Sequence, residues 1–189
     1  MTNPRRVLIT GGSSGLGLAL ATPFLRQGDY VTLLARDPLK LAAAVDQLNK
    51  QVPGGRVGIQ VSDVSGPNIE MDINRVVEAM GGLDLLINSA GILREGYIEK
   101  LTEQDYRQTL EINFFGAVRA TRAALPHLKK SGRGHIVNIA SVAALTGVFG
   151  YSAYCSSKYA LLGFSESLRA EMKPQGIKVQ VVCPPEFDS

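Results

Sequence analysis

Six short runs rich in Val, Ile and Leu constrain this chain more than any other feature. They are RVLIT (6–10), YVTLLA (30–35), RVGIQV (56–61), LDLLINS (83–89), HIVNIA (135–140) and KVQVVC (178–183). Most are nearly continuous in apolar residues rather than alternating, the pattern of strands covered on both faces, as in a parallel sheet. Between them lie helical candidates at 15–28, 38–51, 68–81, 103–130 and 152–174. TEQD at 102–105 fits a capping box at the start of the fourth, and Pro126 is expected to kink that helix or end its main part. Strands alternating with helices imply right-handed crossovers and a doubly wound α/β fold. No repeat or low-complexity linker divides the chain, so 1–189 reads as a single domain.

Composition excludes several functions. The net charge is +3, and the tightest basic cluster, Lys129, Lys130 and Arg133, sits just before Gly134, where a helix is expected to end. The helix dipole accounts for that cluster, so no nucleic acid partner is expected. Cys155 and Cys183 are far apart and form no CxxC pair, which points to a reducing, cytoplasmic setting. The two histidines, His127 and His135, lack ligand-like spacing, so no metal site is expected. The N-terminus has too short an apolar run for a signal peptide, and no stretch approaches the roughly 18 apolar residues of a transmembrane segment.

In a doubly wound sheet the ligand lies outside the carboxyl ends of the strands, so the residues there carry the functional information. The first strand runs into TGGSSGLG, Thr10 to Gly17, which opens a helix. Gly11, Ser13, Ser14, Gly15 and Gly17 would form a tight turn whose amides and helix N-terminus suit a phosphate. A plain strand-to-helix turn is the alternative. The second strand ends in Ala35 and Arg36, where an NAD site usually carries an acidic residue. Arg36, with Lys40 four residues on, would grip a 2′-phosphate, favouring NADP(H) over NAD(H). The two could also be solvated, or paired with Asp37. Asp63, ending the third strand, could bind the adenine amino group or cap the following turn. Asn88, Ala90 and Gly91, in INSAG, are small enough to admit a ligand close to the backbone.

Ser141 ends the fifth strand, and thirteen residues on comes YCSSK, with Tyr154 and Lys158 one helical turn apart on a shared face. A lone YxxxK is common and is most simply a surface pair. Behind a dinucleotide turn and Ser141 it is more than that. Cys155 beside it points elsewhere on the helix and reads as a buried structural thiol.

Taken together, TGGSSGLG, Asp63, NSAG, Asn113 in EINFFG, Ser141 and YCSSK, in that order over residues 10–158, resemble the short-chain dehydrogenase/reductase family. The resemblance implies a Rossmann fold and hydride transfer between NADP(H) and a ketone or secondary alcohol, without a metal. Carried over residue by residue, Tyr154 would be the proton donor and acceptor. Lys158 would lower the Tyr154 pKa and hold the nicotinamide ribose. Ser141 would hydrogen-bond the substrate oxygen, and Asn113 would hold a relay water. Moving a tyrosine from about 10 to near 7 requires about 4 kcal/mol of differential stabilisation. The resemblance further implies a homodimer or homotetramer through the helices near 103–130 and 152–174.

After the sixth strand comes Pro184-Pro185, where most of the family has Pro-Gly close to the nicotinamide. A proline there donates no N–H. PPEFDS is similar to the 3-ketodihydrosphingosine reductase branch, which implies a 3-keto sphingoid lipid as substrate. The family continues past this point with a substrate cover and a seventh strand. The expectation is therefore a chain missing its C-terminal substrate region, with the strand at 178–183 left as an apolar edge. The competing function is a dinucleotide-binding redox sensor or scaffold without catalysis.

Overall fold

A computed structural model describes residues 3–185. Each apolar run becomes a strand: β1 (Arg6–Thr10), β2 (Tyr30–Ala35), β3 (Arg56–Val61), β4 (Leu85–Asn88), β5 (His135–Ile139) and β6 (Lys178–Val182). All pairings are parallel, in the order β3-β2-β1-β4-β5-β6. The order reverses between β1 and β4, the crevice where a doubly wound sheet binds its ligand. Helices α1 (Gly15–Arg26), α2 (Pro38–Gln51), α3 (Ile69–Met80), α4 (Glu103–Leu110), α5 (Gly116–Ser131) and α6 (Ser152–Met172) cover the two faces.

The continuous apolar strands are explained by this double cover. Along β1, Val7 and Ile9 join Leu25, Leu41 and Leu48 in the core under α1 and α2. Leu8 between them packs into the opposite core with Ile73, Val76, Leu128 and Leu168. β6 lies at the edge, as expected, and pairs only with β5 among the described residues. Glu186 to Ser189, which carry the acidic part of the Pro-Pro-Glu reading, lie outside the described residues.

The stretch 103–130 differs from the single helix expected. Thr102 and Asp105 form the capping box at its start, but residues Glu111–Phe115 form a π-helical turn that separates α4 from α5. Pro126 does not end the helix, which runs on to Ser131 and is capped by Gly132 in the left-handed region (φ 70°) rather than near Gly134. The break falls where Gly116 packs so close to Val64 that a Cβ there would come within 2.7 Å of it. π-turns of this kind often mark functional positions.

Arg133 also differs from its expected role. Asp84, 1% exposed, is gripped by Arg6 (2.8 Å) and by Arg133 (3.0 Å). Arg133 further donates to the Asn3 and Pro4 carbonyls at 2.9 and 2.8 Å. The cluster fastens the N-terminal ends of β1, β4 and β5. Burial works to raise the Asp84 carboxyl, but the hydrogen bonds from Arg6 and Arg133 outweigh it and hold it well below the usual carboxylate range. A depressed folded-state pKa means that this stabilisation is present above the unfolded pKa of about 3.9 and is lost as pH falls through the lower folded value. Asp84→Asn is expected to cost about 2 kcal/mol at neutral pH, because two guanidiniums lose their counter-charge. Urea midpoints of the two proteins measure it, and the gap should narrow in acid.

Candidate active site

The carboxyl ends of the strands open onto one cleft of about 840 Å³. At one end lies the glycine-rich turn. Gly11 has φ 67°, and a Cβ on it would stand 2.7 Å from the Ala90 Cα. A Cβ on Gly17 would overlap the Gly11 carbonyl. Both positions therefore demand glycine, and together they let α1 start directly against the cleft. Ser14 precedes α1 without capping it, and its first turn has no acidic side chain. The free amides and the helix dipole are thus available to an anion. The turn 88–91 is held beside them by the Thr10 hydroxyl, which accepts from the Ser89 and Ala90 amides at 3.2 Å each.

Gly11, Ser13, Ser14, Gly15, Gly17, Arg36, Lys40, Asp63, Ala90, Gly91 and Pro184 all line this cleft. Asn88 is not among its lining residues. Its amide donates to the Thr121 hydroxyl (3.0 Å) and to Asn138 (2.8 Å), inside the core behind the site. Asp37 pairs with neither basic neighbour; it caps α2 by accepting from Leu39 and Lys40 amides. That leaves Arg36, more than half exposed, with Asp63 at 3.7 Å. Asp63 also caps its own turn through the Ser65 amide and hydroxyl. Burial works to raise its carboxyl, but Ser65 and Arg36 hold it below its ordinary value.

At the other end stand Ser141, Tyr154 and Lys158. Ser141 leaves β5 and caps a short 3-10 turn, accepting from the Ala143 amide at 3.1 Å. Tyr154 and Lys158 lie in the first two turns of α6, with Nζ 5.5 Å from the Tyr154 ring centre. Lys158 is 6% exposed and donates to the Ile139 carbonyl at 2.9 Å. Burial pushes its ammonium down to about 8, with Cys183 pulling the other way. Burial pushes the Tyr154 phenol up, and a hydrogen bond with Ser141 offsets this only in part. The protein's own groups thus keep the phenol protonated at neutral pH.

Asn113 sits in the π-turn, buried. Its side chain accepts from the Ile92 amide (2.7 Å) and donates to the Ile92 carbonyl (2.9 Å) and the Ser157 hydroxyl (3.0 Å). It ties the loop after β4 to α6 and is not itself a lining residue. Cys155 is buried and unpaired. Reasoning from sequence overlooked the wall beyond Ser141, formed by Ile92, Leu93, Val142 and Val148. The signal was there in VAALTGVFG (142–150), a loop with hardly a polar residue. No helix among the described residues is long and apolar enough to cross a membrane, and no three potential ligands cluster for a metal.

A nucleotide-sized cleft at the switch point, ending in a Ser-Tyr-Lys set, defines a family. A family model described as short chain dehydrogenase matches residues 5–189, and the chain belongs to that family. It is 37% identical to a 3-dehydrosphinganine reductase of Danio rerio, over 99% of this chain and 58% of that protein. It is also 37% identical to a 3-ketodihydrosphingosine reductase of Bos taurus, over 97% of this chain and 56% of the relative. The chain thus spans a little over half the length of these relatives. Among solved structures it is similar to an actinorhodin polyketide ketoreductase with NADPH, with TM-score 0.91 and 32% identity, over 97% of this chain and 72% of the other. It is likewise similar to the L-sorbose reductase of Gluconobacter frateurii complexed with NADPH and L-sorbose, with TM-score 0.90 and 31% identity, over 96% and 69%.

Proposed function

We propose that this protein is an NADP(H)-dependent oxidoreductase that reduces a ketone, with a 3-keto sphingoid lipid as the leading substrate. The reading rests on one observation above the rest: Ser141, Tyr154 and Lys158 share a single cleft with the Gly11–Gly17 turn and Arg36. The residues fit the cofactor. The glycine-rich turn leaves the amides at the start of α1 open to a pyrophosphate, and Arg36 and Lys40, which line the same cleft, would grip a 2′-phosphate. When bound, the nicotinamide supplies the hydride to the carbonyl carbon. Ser141 orients the carbonyl oxygen, and Tyr154 gives its phenolic proton to that oxygen as the alcohol forms. Lys158 stabilises the tyrosinate left behind. A protonated phenol is the form that can give its proton to the reduced oxygen. The lipid reading is supported by the names of the two reductases above. Homo-oligomerisation through α4, α5 and α6, which expose Phe115 and Tyr159 beside them, and a cytoplasmic setting complete the proposal.

NADPH oxidation measured with a panel of ketones that includes 3-ketosphinganine tests it. Turnover that depends on Tyr154 supports the enzyme; tight NADPH binding with no turnover on any ketone supports the sensor or scaffold. Cofactor choice has its own test. Arg36→Ser is expected to weaken NADPH binding roughly tenfold to a hundredfold through loss of a charge-assisted contact, and to leave NADH binding nearly unchanged. Fluorescence titration of both dinucleotides reads it. Equal loss for the two would remove Arg36 from 2′-phosphate recognition.

A further inference from the structure

We infer that Ser157 is a positioning residue: its buried hydroxyl locks Asn113, and through it the loop after β4, to the turn of α6 that carries Tyr154 and Lys158. Its bearing on turnover rests on the oxidoreductase reading above. Ser157 is 0% exposed and Asn113 is 1% exposed. The Ser157 hydroxyl donates to the Tyr154 carbonyl at 2.7 Å, which uses its one proton. Its oxygen is then free only to accept, and it takes the Asn113 side-chain amide at 3.0 Å.

That polarity fixes the amide of Asn113. With Nδ2 turned to Ser157, its second hydrogen reaches the Ile92 carbonyl at 2.9 Å, and Oδ1 accepts from the Ile92 amide at 2.7 Å. Both hydrogens of the amide are then used. Oδ1 also faces Gly91: a Cβ there would stand 3.3 Å from Oδ1 and 3.7 Å from the Lys158 Nζ, so the amide oxygen and the ammonium border one small space. Gly91, Ile92, Tyr154 and Lys158 all line the cleft. One hydroxyl thus sets the loop side of the cleft against the helix side. Inside a helix, a serine that bonds back to a carbonyl of its own helix is otherwise slightly unfavourable. Ser165, two turns on, has the same arrangement away from the site. It is 0% exposed, donates to the Leu161 carbonyl at 2.6 Å and accepts from Asn138 at 2.9 Å, and neither partner lines the cleft.

The test compares Ser157→Ala, Ser165→Ala, Asn113→Ala and the double variant Ser157→Ala/Asn113→Ala in NADPH-dependent ketone reduction, with melting temperatures alongside. Both serine variants leave a buried amide short of a partner, so both should lose stability. Only Ser157→Ala should lower kcat, by roughly tenfold to a hundredfold, with the KM for NADPH within about threefold of wild type. The double variant should match the kcat of Asn113→Ala to within about twofold, because the two residues act as one unit. Equal kcat losses in the two serine variants, or losses that multiply in the double variant, overturn the inference. Should Ser157→Ala fail to fold, Ser157→Cys, whose thiol is only a weak donor and acceptor, takes its place. Hydrogen exchange at the Ile92 amide gives a readout independent of turnover. It should speed up about tenfold in Ser157→Ala and stay unchanged in Ser165→Ala. If no ketone is reduced, the oxidoreductase reading fails, and exchange alone decides the lock: faster exchange confined to the Ser157 variant upholds it, and exchange that is unchanged, or faster in both, overturns it.

Discussion

Tyr154→Phe is expected to lower kcat for ketone reduction by roughly 10²–10⁴-fold while leaving NADPH affinity within a few-fold of wild type. The substitution removes only the phenolic oxygen. The ring, which Lys158 approaches at 5.5 Å and which lies 6.5 Å from the Tyr151 ring, stays in place. Its hydroxyl faces Ser141, a residue of the same site, and holds no element of the fold, so stability should change little. Steady-state kinetics with parallel dinucleotide titration separates the two effects. Loss of binding equal to the loss of turnover would mean that Tyr154 positions the cofactor rather than moves a proton.

Lys158→Met has the second largest effect, and it runs in opposite directions for activity and stability. Activity should fall at least a hundredfold, because the cation beside the tyrosinate is gone. Stability should rise at neutral pH. The ammonium is 6% exposed, and burial lowers its pKa from 10.5 to about 8. A base with a depressed folded pKa destabilises the fold while charged. Between about 8 and 10.5 the unfolded chain holds more protons, so the penalty fades as pH rises. At pH 7 it amounts to about 3 kcal/mol, partly offset by the bond to the Ile139 carbonyl that methionine cannot make. The stability gap between variant and wild type should therefore shrink by about 2–3 kcal/mol from pH 7 to pH 10. Urea unfolding at both pH values reads it; a gap independent of pH would show that Lys158 is not strained by burial. In wild type, reduction should decline above about pH 8 as Lys158 loses its charge.

These two residues also show what could be read before the structure. Their spacing placed them on one helical face, and the glycines of TGGSSGLG marked the opposite end of the same cleft. Both are local signals, set by chain geometry within a few residues. The parallel sheet was equally legible, since continuous apolar runs call for cover on both faces. What depends on distant partners was harder. Asn88 sits at a strand end like a ligand contact, yet Thr121 and Asn138 engage it behind the site. Arg133 looked like a helix-end cation until Asp84 supplied a partner 49 residues away. The π-turn at Glu111–Phe115 coincides with the close packing of Gly116 on Val64 and the hold of Asn113 on Ile92, neither of which periodicity reveals. Burial, which pushes the Tyr154 phenol up, was likewise not legible, because sequence shows which charges are near and not how deep a group lies.

The most direct measurement is the mass of the alcohol formed from 3-ketosphinganine, or from whichever ketone turns over, with NADPH carrying deuterium at the transferable position of its nicotinamide ring. One deuterium per alcohol, on the former carbonyl carbon, is the predicted result, with labelled alcohol formed roughly 10²–10⁴-fold more slowly by Tyr154→Phe under the same conditions. Binding of the labelled cofactor without any labelled alcohol from any ketone would contradict the account.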